Sequence, residues 1–297
     1  MLAFSLSVGL TPVPAGLNEF SRLSGRAGAL STIRRTAAAA TGRALADGKE
    51  LLEIEFPPLL ETKTQFDDYT NVEVLDANRD FGVQLALEPE LQAAASAEEL
   101  WLCFADAGEA DLAREAWPGA MYGRATQTYI SAAVEAVGGE PIMPMGSAAF
   151  DLSQNLFGGL FGGPSPPAAP ATPPPAPRMQ LVVQPGDGGP MEDWLNLERL
   201  RQPSTPMLCL NGALDKVTSG YYSNLLNPKL GECATRFFSN FEPVYYLKPI
   251  GSGRGWLLRV YPEAWQLFRQ TKTDLVCIET YEERPTPAAC VERLKMP

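Results

Sequence analysis

The sequence predicts an α/β fold, a three-layer arrangement around a mostly parallel sheet with antiparallel edge strands near the C-terminus. Short apolar runs of strand length recur at Leu51–Phe56 (LLEIEF), Leu100–Phe104 (LWLCF), Met179–Val183 (MQLVV) and Pro206–Leu210 (PMLCL). Segments with helical spacing separate them. Beyond about residue 240 the helices give way to a cluster of strands. At 297 residues and 45% hydrophobic content the chain can bury a sizeable core. It reads as one α/β domain from residue 18 onward, interrupted by an insert at about 145–178.

Each element has a local reason. Asn18 to about Ala46 is rich in Ala, Leu and Arg and free of proline, so it reads as a long helix, ended by Asp47-Gly48. Leu51–Phe56 follows as the first strand, stopped by Pro57-Pro58 where a dinucleotide-binding unit would turn on glycine. Asp67 or Asp68 can cap a second helix running to about Ala95 unless Pro89 breaks it. Helices are expected over 109–117 and 122–137, closed by Gly138-Gly139, then over Met191–Arg201 and Pro285–Lys295. Further strands are expected at Phe241–Leu247, Trp256–Tyr261 and Asp274–Glu279, with a hairpin loop over Gly251–Gly255. The insert, dominated by Pro, Gly and Ala with almost no charge, lacks the means to pack a core and reads as flexible. Residues 1–17 read as a targeting remnant or flexible N-terminus.

Composition excludes several functions. The net charge is −11, and residues 1–50 hold six basic residues against three acids, leaving about −14 for the remainder. So acidic a body repels phosphate backbones, which argues against nucleic acid as a partner. No apolar run approaches the length of a membrane span, although the basic first helix leaves peripheral membrane association open. The five cysteines are widely spaced and odd in number, as expected of buried reduced thiols. Histidine is absent, which removes Ser-His-Asp and Cys-His nucleophile activation and every imidazole metal site.

Several motifs resemble chemistry only loosely. Gly42–Lys49 has the wrong glycine spacing for a phosphate loop, precedes a strand, and is better read as a helix end. Pro185–Pro190 (PGDGGP) lies between a strand and a helix but lacks the Lys and Ser/Thr of a phosphate loop. The acids Asp67, Asp68, Glu73, Asp76 and Asp80 read as caps and a solvated helix face, not as a hard-metal site, and neither metal nor cofactor is expected. Two constellations stand out as candidate ligand- or partner-binding residues. One is Asn211 and Asp215, at the carboxyl edge of a strand, followed by Tyr221 and Tyr222. The other is Arg259, Tyr261 and Trp265, in which Arg and Tyr two apart share a strand face and Trp265 folds back after Pro262. A buried arginine under aromatic cover and a ligand site explain the second equally well. No catalytic residue is assigned.

Five segments in order resemble a plastid family known chiefly as a domain of unknown function. They are LLEIEFPP (Leu51–Pro58), NGALDKVTSGYY (Asn211–Tyr222) with NPKL (Asn227–Leu230), FEPVYYL (Phe241–Leu247) and RVYPEAWQLF (Arg259–Phe268). The opening GLNEFSRLSGRAGAL is similar to the N-terminal segment of one chloroplast branch. The family includes the LOW PSII ACCUMULATION three type of photosystem II assembly factor, and its domain also occurs fused to plastid adenylate kinases. Where relatives read Y-P-G-P-W, this chain has Tyr261-Pro262-Glu263-Ala264-Trp265.

The resemblance implies a chloroplast location, in the stroma or on the stromal face of the thylakoid. It also implies a non-catalytic role exercised through protein partners in photosystem or thylakoid biogenesis or maintenance. The alternative is a protein or enzyme that binds a nucleotide or phosphorylated metabolite at the carboxyl edge of the sheet.

Overall fold

The computed structural model describes residues 26–59, 71–96, 98–118, 125–143, 175–186, 191–219, 227–272 and 274–296. Helix α1 (Arg26–Ala46) buries Ala29, Ala37, Ala40 and Ala44 completely, and these small side chains let the helix lie close to the sheet. Gly48, at φ 76°, closes it: its N–H donates to Leu45 O at 3.0 Å, and Lys49 N–H donates to Ala44 O at 2.9 Å. This paired closure needs a left-handed residue, so Gly42–Lys49 is a helix terminus.

Strand β1 (Leu51–Glu55) leads to α2 (Asn71–Ala86) and α3 (Pro89–Ala94). Pro89 separates the two helices by starting the second, where its missing N–H costs nothing. Next come β2 (Leu100–Phe104), α4 (Ala107–Ala116), β3 (Thr126–Tyr129) and α5 (Ile130–Ala136). The described part of the helix expected over 122–137 thus opens as a four-residue strand before turning helical. Thr126–Tyr129 is a half-buried edge strand, whose polar TQTY sequence carries no apolar period to betray it.

Strand β4 (Met179–Val183), α6 (Glu192–Leu200), β5 (Met207–Leu210), α7 (Leu214–Thr218) and α8 (Pro228–Arg236) follow, then a 3₁₀ turn at Phe238–Asn240. The chain finishes with β6 (Glu242–Ile250), β7 (Gly255–Val260), β8 (Trp265–Gln270), β9 (Leu275–Tyr281) and α9 (Pro287–Lys295). Strand β8 was not among the expected strands. Most of the insert, the N-terminal segment and the proposed caps Asp67 and Asp68 lie outside the described residues.

The nine strands form one sheet in the order β3-β2-β4-β5-β1-β6-β7-β8-β9. Strands β3 through β6 run parallel, and β7, β8 and β9 add antiparallel. The handedness of parallel crossovers sorts the helices between the two faces. From β1 to β3 the chain moves one way, and α2 and α4 cover the first face together with α1. From β3 to β6 it moves back, and α5, α6, α7 and α8 cover the second face. A smaller core under α9 joins Ile250, Leu257, Leu267, Cys290 and Leu294 on the far side of that second face.

The antiparallel part is held at close quarters. A Cβ at Gly255 would collide with the Phe268 carbonyl and meet Leu294 at 2.7 Å. Gly255→Ala is therefore expected to lower stability by about 2 kcal/mol or more, read as a reduced denaturant midpoint with an unchanged m-value.

Candidate functional site

Strand β1 alternates. Leu52, Ile54 and Phe56 enter the first-face core, which leaves Glu53 and Glu55 on the second face of a central strand. Glu53 is 2% exposed, and its Oε2 accepts from Arg284 Nη2 at 2.5 Å. Arg284 arrives from the segment after β9, with its guanidinium 4.5 Å from the Tyr246 ring centroid and 5.0 Å from that of Trp265. Those two rings meet edge to face at 5.1 Å. Arg259 lies 5.4 Å from the Trp265 ring and pairs with Glu242 at 2.7 Å. Two guanidiniums thus share one indole, Arg284 paired with Glu53 and Arg259 with Glu242, which Lys49 also meets at 3.4 Å.

Beside this cluster, Glu55 accepts from the Ala213 N–H at 3.1 Å, and Asp215 pairs with Lys248. Desolvation first, then the charges of Glu53 and Asp215, push the Glu55 carboxyl up to about 8, against the pull of Lys248. Burial also raises Glu53, with Arg284 opposing it. The Asn211–Ala213 turn builds this corner. Asn211 (φ 48°) and Ala213 (φ 49°) both adopt left-handed backbone, and a Cβ at Gly212 would strike Cys209 Sγ.

A cleft of about 310 Å³ opens over these residues. Glu53, Arg259, Trp265 and Arg284 line its base; Leu214, Phe238, Phe241 and Pro243 form an apolar wall; Glu282 and Glu283 stand exposed at the mouth. Phe238 and Phe241 belong to a packed aromatic trio with Phe237, with centroids 5.1 to 5.8 Å apart, so this wall is fixed.

Arg259 and Trp265 therefore come together in the cleft, as their spacing suggested. Tyr261 does not join them. Strand β7 ends at Val260, the chain turns with Tyr261 N–H donating to Val244 O at 2.9 Å, and the side chain emerges on the first face, where its hydroxyl donates to Asp47 at 2.8 Å. Asn211 is also elsewhere. Its Oδ1 accepts from Phe56 N–H at 2.8 Å and its Nδ2 donates to Asn78 Oδ1 at 2.6 Å, while Asn78 donates to Gln184 at 2.5 Å. That buried chain ties α2 to the carboxyl ends of β1, β4 and β5. Asp215 stands behind the cleft with Lys248, and Tyr221 and Tyr222 lie outside the described residues.

Sequence reasoning missed Glu53, Arg284 and the acids at the mouth. Glu53 was readable, because two acids two apart in a strand otherwise apolar put charge on one buried face. Arg284 carried no comparable signal. The acids of α2 are also more engaged than a solvated face implies: buried Arg79 pairs with Asp76 at 2.5 Å and with Glu109 at 2.8 Å, and Asp80 accepts from Trp117 Nε1 at 2.8 Å. Among the described residues no helix is long and apolar enough to cross a membrane.

These features define a doubly wound α/β domain extended by an antiparallel meander, with a charged and aromatic cleft where the two parts join. The chain belongs to the family described as Domain of unknown function (DUF1995), which matches residues 29–292. Comparison with curated proteins and with solved structures yields no match.

Two predictions follow from the buried charges. Arg284→Met strands the Glu53 carboxylate and should cost about 3–5 kcal/mol, with Glu53→Gln/Arg284→Met recovering much of that loss in chemical denaturation. Because the folded Glu55 carboxyl titrates above its unfolded value, its contribution is fully present below about pH 4.5 and fades as pH rises to about 8. Glu55→Gln should flatten the stability profile across that window. An unchanged slope, which the wild-type group sets at up to about 1.4 kcal/mol per pH unit, would contradict the assignment.

Proposed function

We propose that this protein is a non-catalytic binding protein of the chloroplast, acting through protein partners in photosystem or thylakoid biogenesis or maintenance, and that partners dock in the cleft above β1, β6, β7 and β8. The observation that carries the docking site is the juxtaposition of a rigid aromatic wall with a buried, half-partnered carboxylate, Glu53, in one open concavity. Such mixed concave surfaces seat a side chain of a partner by apolar contact and fix its register by charge. The location and the process rest on the resemblance carried by Leu51–Pro58, Asn211–Tyr222, Phe241–Leu247 and Arg259–Phe268.

A nucleotide or phosphometabolite site at the carboxyl edge draws less support from the geometry. Asn211 is committed to the Asn78 and Phe56 network, and the arginines in the cleft are already paired with carboxylates.

Ser239, exposed on the cleft lining, allows a direct test. Affinity purification from chloroplast stroma and solubilised thylakoids should recover photosystem or thylakoid biogenesis proteins with the wild-type chain. Ser239→Trp, which fills the cleft without touching the core, should reduce that recovery about ten-fold, or roughly 1.4 kcal/mol. Recovery of no such protein, or equal recovery by the variant, would overturn the proposal.

A further inference from the structure

Three of the buried side-chain atoms that lack a hydrogen-bond partner among the described residues belong to one cluster: Glu53 Oε1, Asp215 Oδ1 and Arg284 Nε. Of these residues Glu53 and Arg284 line the cleft, and Glu53 is the acceptor, with its other oxygen held by Arg284. A buried carboxylate oxygen in a concavity is completed by a hydrogen-bond donor, and a charged donor completes it best.

The rest of the lining selects for charge. Arg259 pairs with Glu242 at 2.7 Å, a carboxylate that Lys49 also meets at 3.4 Å, and Arg284 pairs with Glu53 at 2.5 Å, so both guanidiniums of the cleft already face a carboxylate. Glu282 and Glu283 at the mouth are exposed, and no cation pairs with them among the described residues. The field at the entrance is therefore negative, in a chain whose formal charge is −11. The same lining includes Leu214, Phe238, Phe241 and Pro243, apolar groups suited to the methylene stem of a long basic side chain.

We infer that the cleft receives a lysine or arginine side chain from a partner segment with apolar neighbours, the stem lying along the aromatic wall and the head group between the acidic mouth and Glu53. This rests on the cleft being the docking site proposed above, and names what it reads. An anionic or purely apolar segment meets either uncompensated acids or a desolvated carboxylate, which provides the discrimination.

The full chain can be titrated with the capped tripeptides Ac-Leu-Lys-Leu-NH₂ and Ac-Leu-Glu-Leu-NH₂ by isothermal calorimetry and by chemical-shift perturbation. The lysine peptide should bind at least about ten-fold tighter than the glutamate peptide, with affinity falling as salt rises from about 20 mM to about 300 mM. Glu282→Lys/Glu283→Lys, two exposed changes that leave the core intact, should abolish or invert that preference, and Ser239→Trp should remove binding of the lysine peptide. Equal affinity for the two peptides, or a preference unaltered by the charge reversal, overturns the inference. If Ser239→Trp still loses its plastid partners in that case, docking in the cleft stands and only the basic specificity falls. If Ser239→Trp keeps its partners while the lysine preference holds, the cleft reads basic groups but is not where those partners dock.

Discussion

The structure depends on how a carboxylate is kept inside its central strand. Glu53 lies in β1, between β5 and β6, where a strand of a parallel sheet is ordinarily apolar on both faces. An isolated buried carboxylate costs several kcal/mol, so the fold must supply a countercharge close by. It comes from Arg284, 231 residues along the chain and beyond the last strand. The doubly wound half is thus electrostatically incomplete until the antiparallel meander has been laid down. The coupling runs both ways, since of the two rings that box the guanidinium Trp265 belongs to that meander and Tyr246 to β6, the strand where the two parts join.

The same constraint explains why the two faces differ. On the first face α1 brings a row of alanines against the sheet, and the core is continuous from Leu102 across to Phe268. On the second face the helices that return from β4 and β5 build a core that stops at Phe241, and α9 builds a separate one around Leu267. The strip between them carries Glu53, Glu55, Lys248 and Arg259, which no apolar helix could cover without stranding charge. A cleft forms there because the sheet bears polar groups that want neighbours other than hydrocarbon.

Much of this was legible in the sequence, and the failures have physical causes. Buried strands announced themselves by apolar runs, and Gly48 and Pro89 marked helix ends because backbone geometry allows little else there. Edge and meander strands were harder. Thr126–Tyr129 has no apolar face, and Trp265–Gln270 follows so soon after Pro262 that only the return of Trp265 was read there, not a strand. The NGALD segment looked like a site because it follows a buried strand at the carboxyl edge. Its residues instead hold a left-handed turn that carries the Ala213 N–H to Glu55 and locks Asn211 onto Asn78. The meeting of Arg259 and Trp265 was legible because two residues flanking a tight turn between neighbouring strands are forced together. The Arg284–Glu53 pair was not, because spacing along the chain says nothing about a contact closed only by the whole sheet.

What the central strand gains from its acids is not stability, since an apolar pair of similar volume would be expected to match or exceed a buried ion pair. Such departures from local rules fit the recognition role proposed for the adjoining cleft. Two carboxylates share one face of β1, the left-handed residues Asn211 and Ala213 form the turn beside it, and of the three half-satisfied polar groups Glu53 and Arg284 line the cleft while Asp215 does not. The surrounding fold is correspondingly conservative, with capped helices, free buried thiols and apolar strands that tolerate the burden. For the docking proposed above its rigidity would help, because a wall fixed by the Phe237, Phe238 and Phe241 packing loses little entropy on binding. Glu53 is likewise held in place before any partner comes, clamped on one oxygen by an arginine that is itself pinned between two aromatic rings. In the docking proposed above, that preorganisation would turn an expensive buried charge into a means of discrimination.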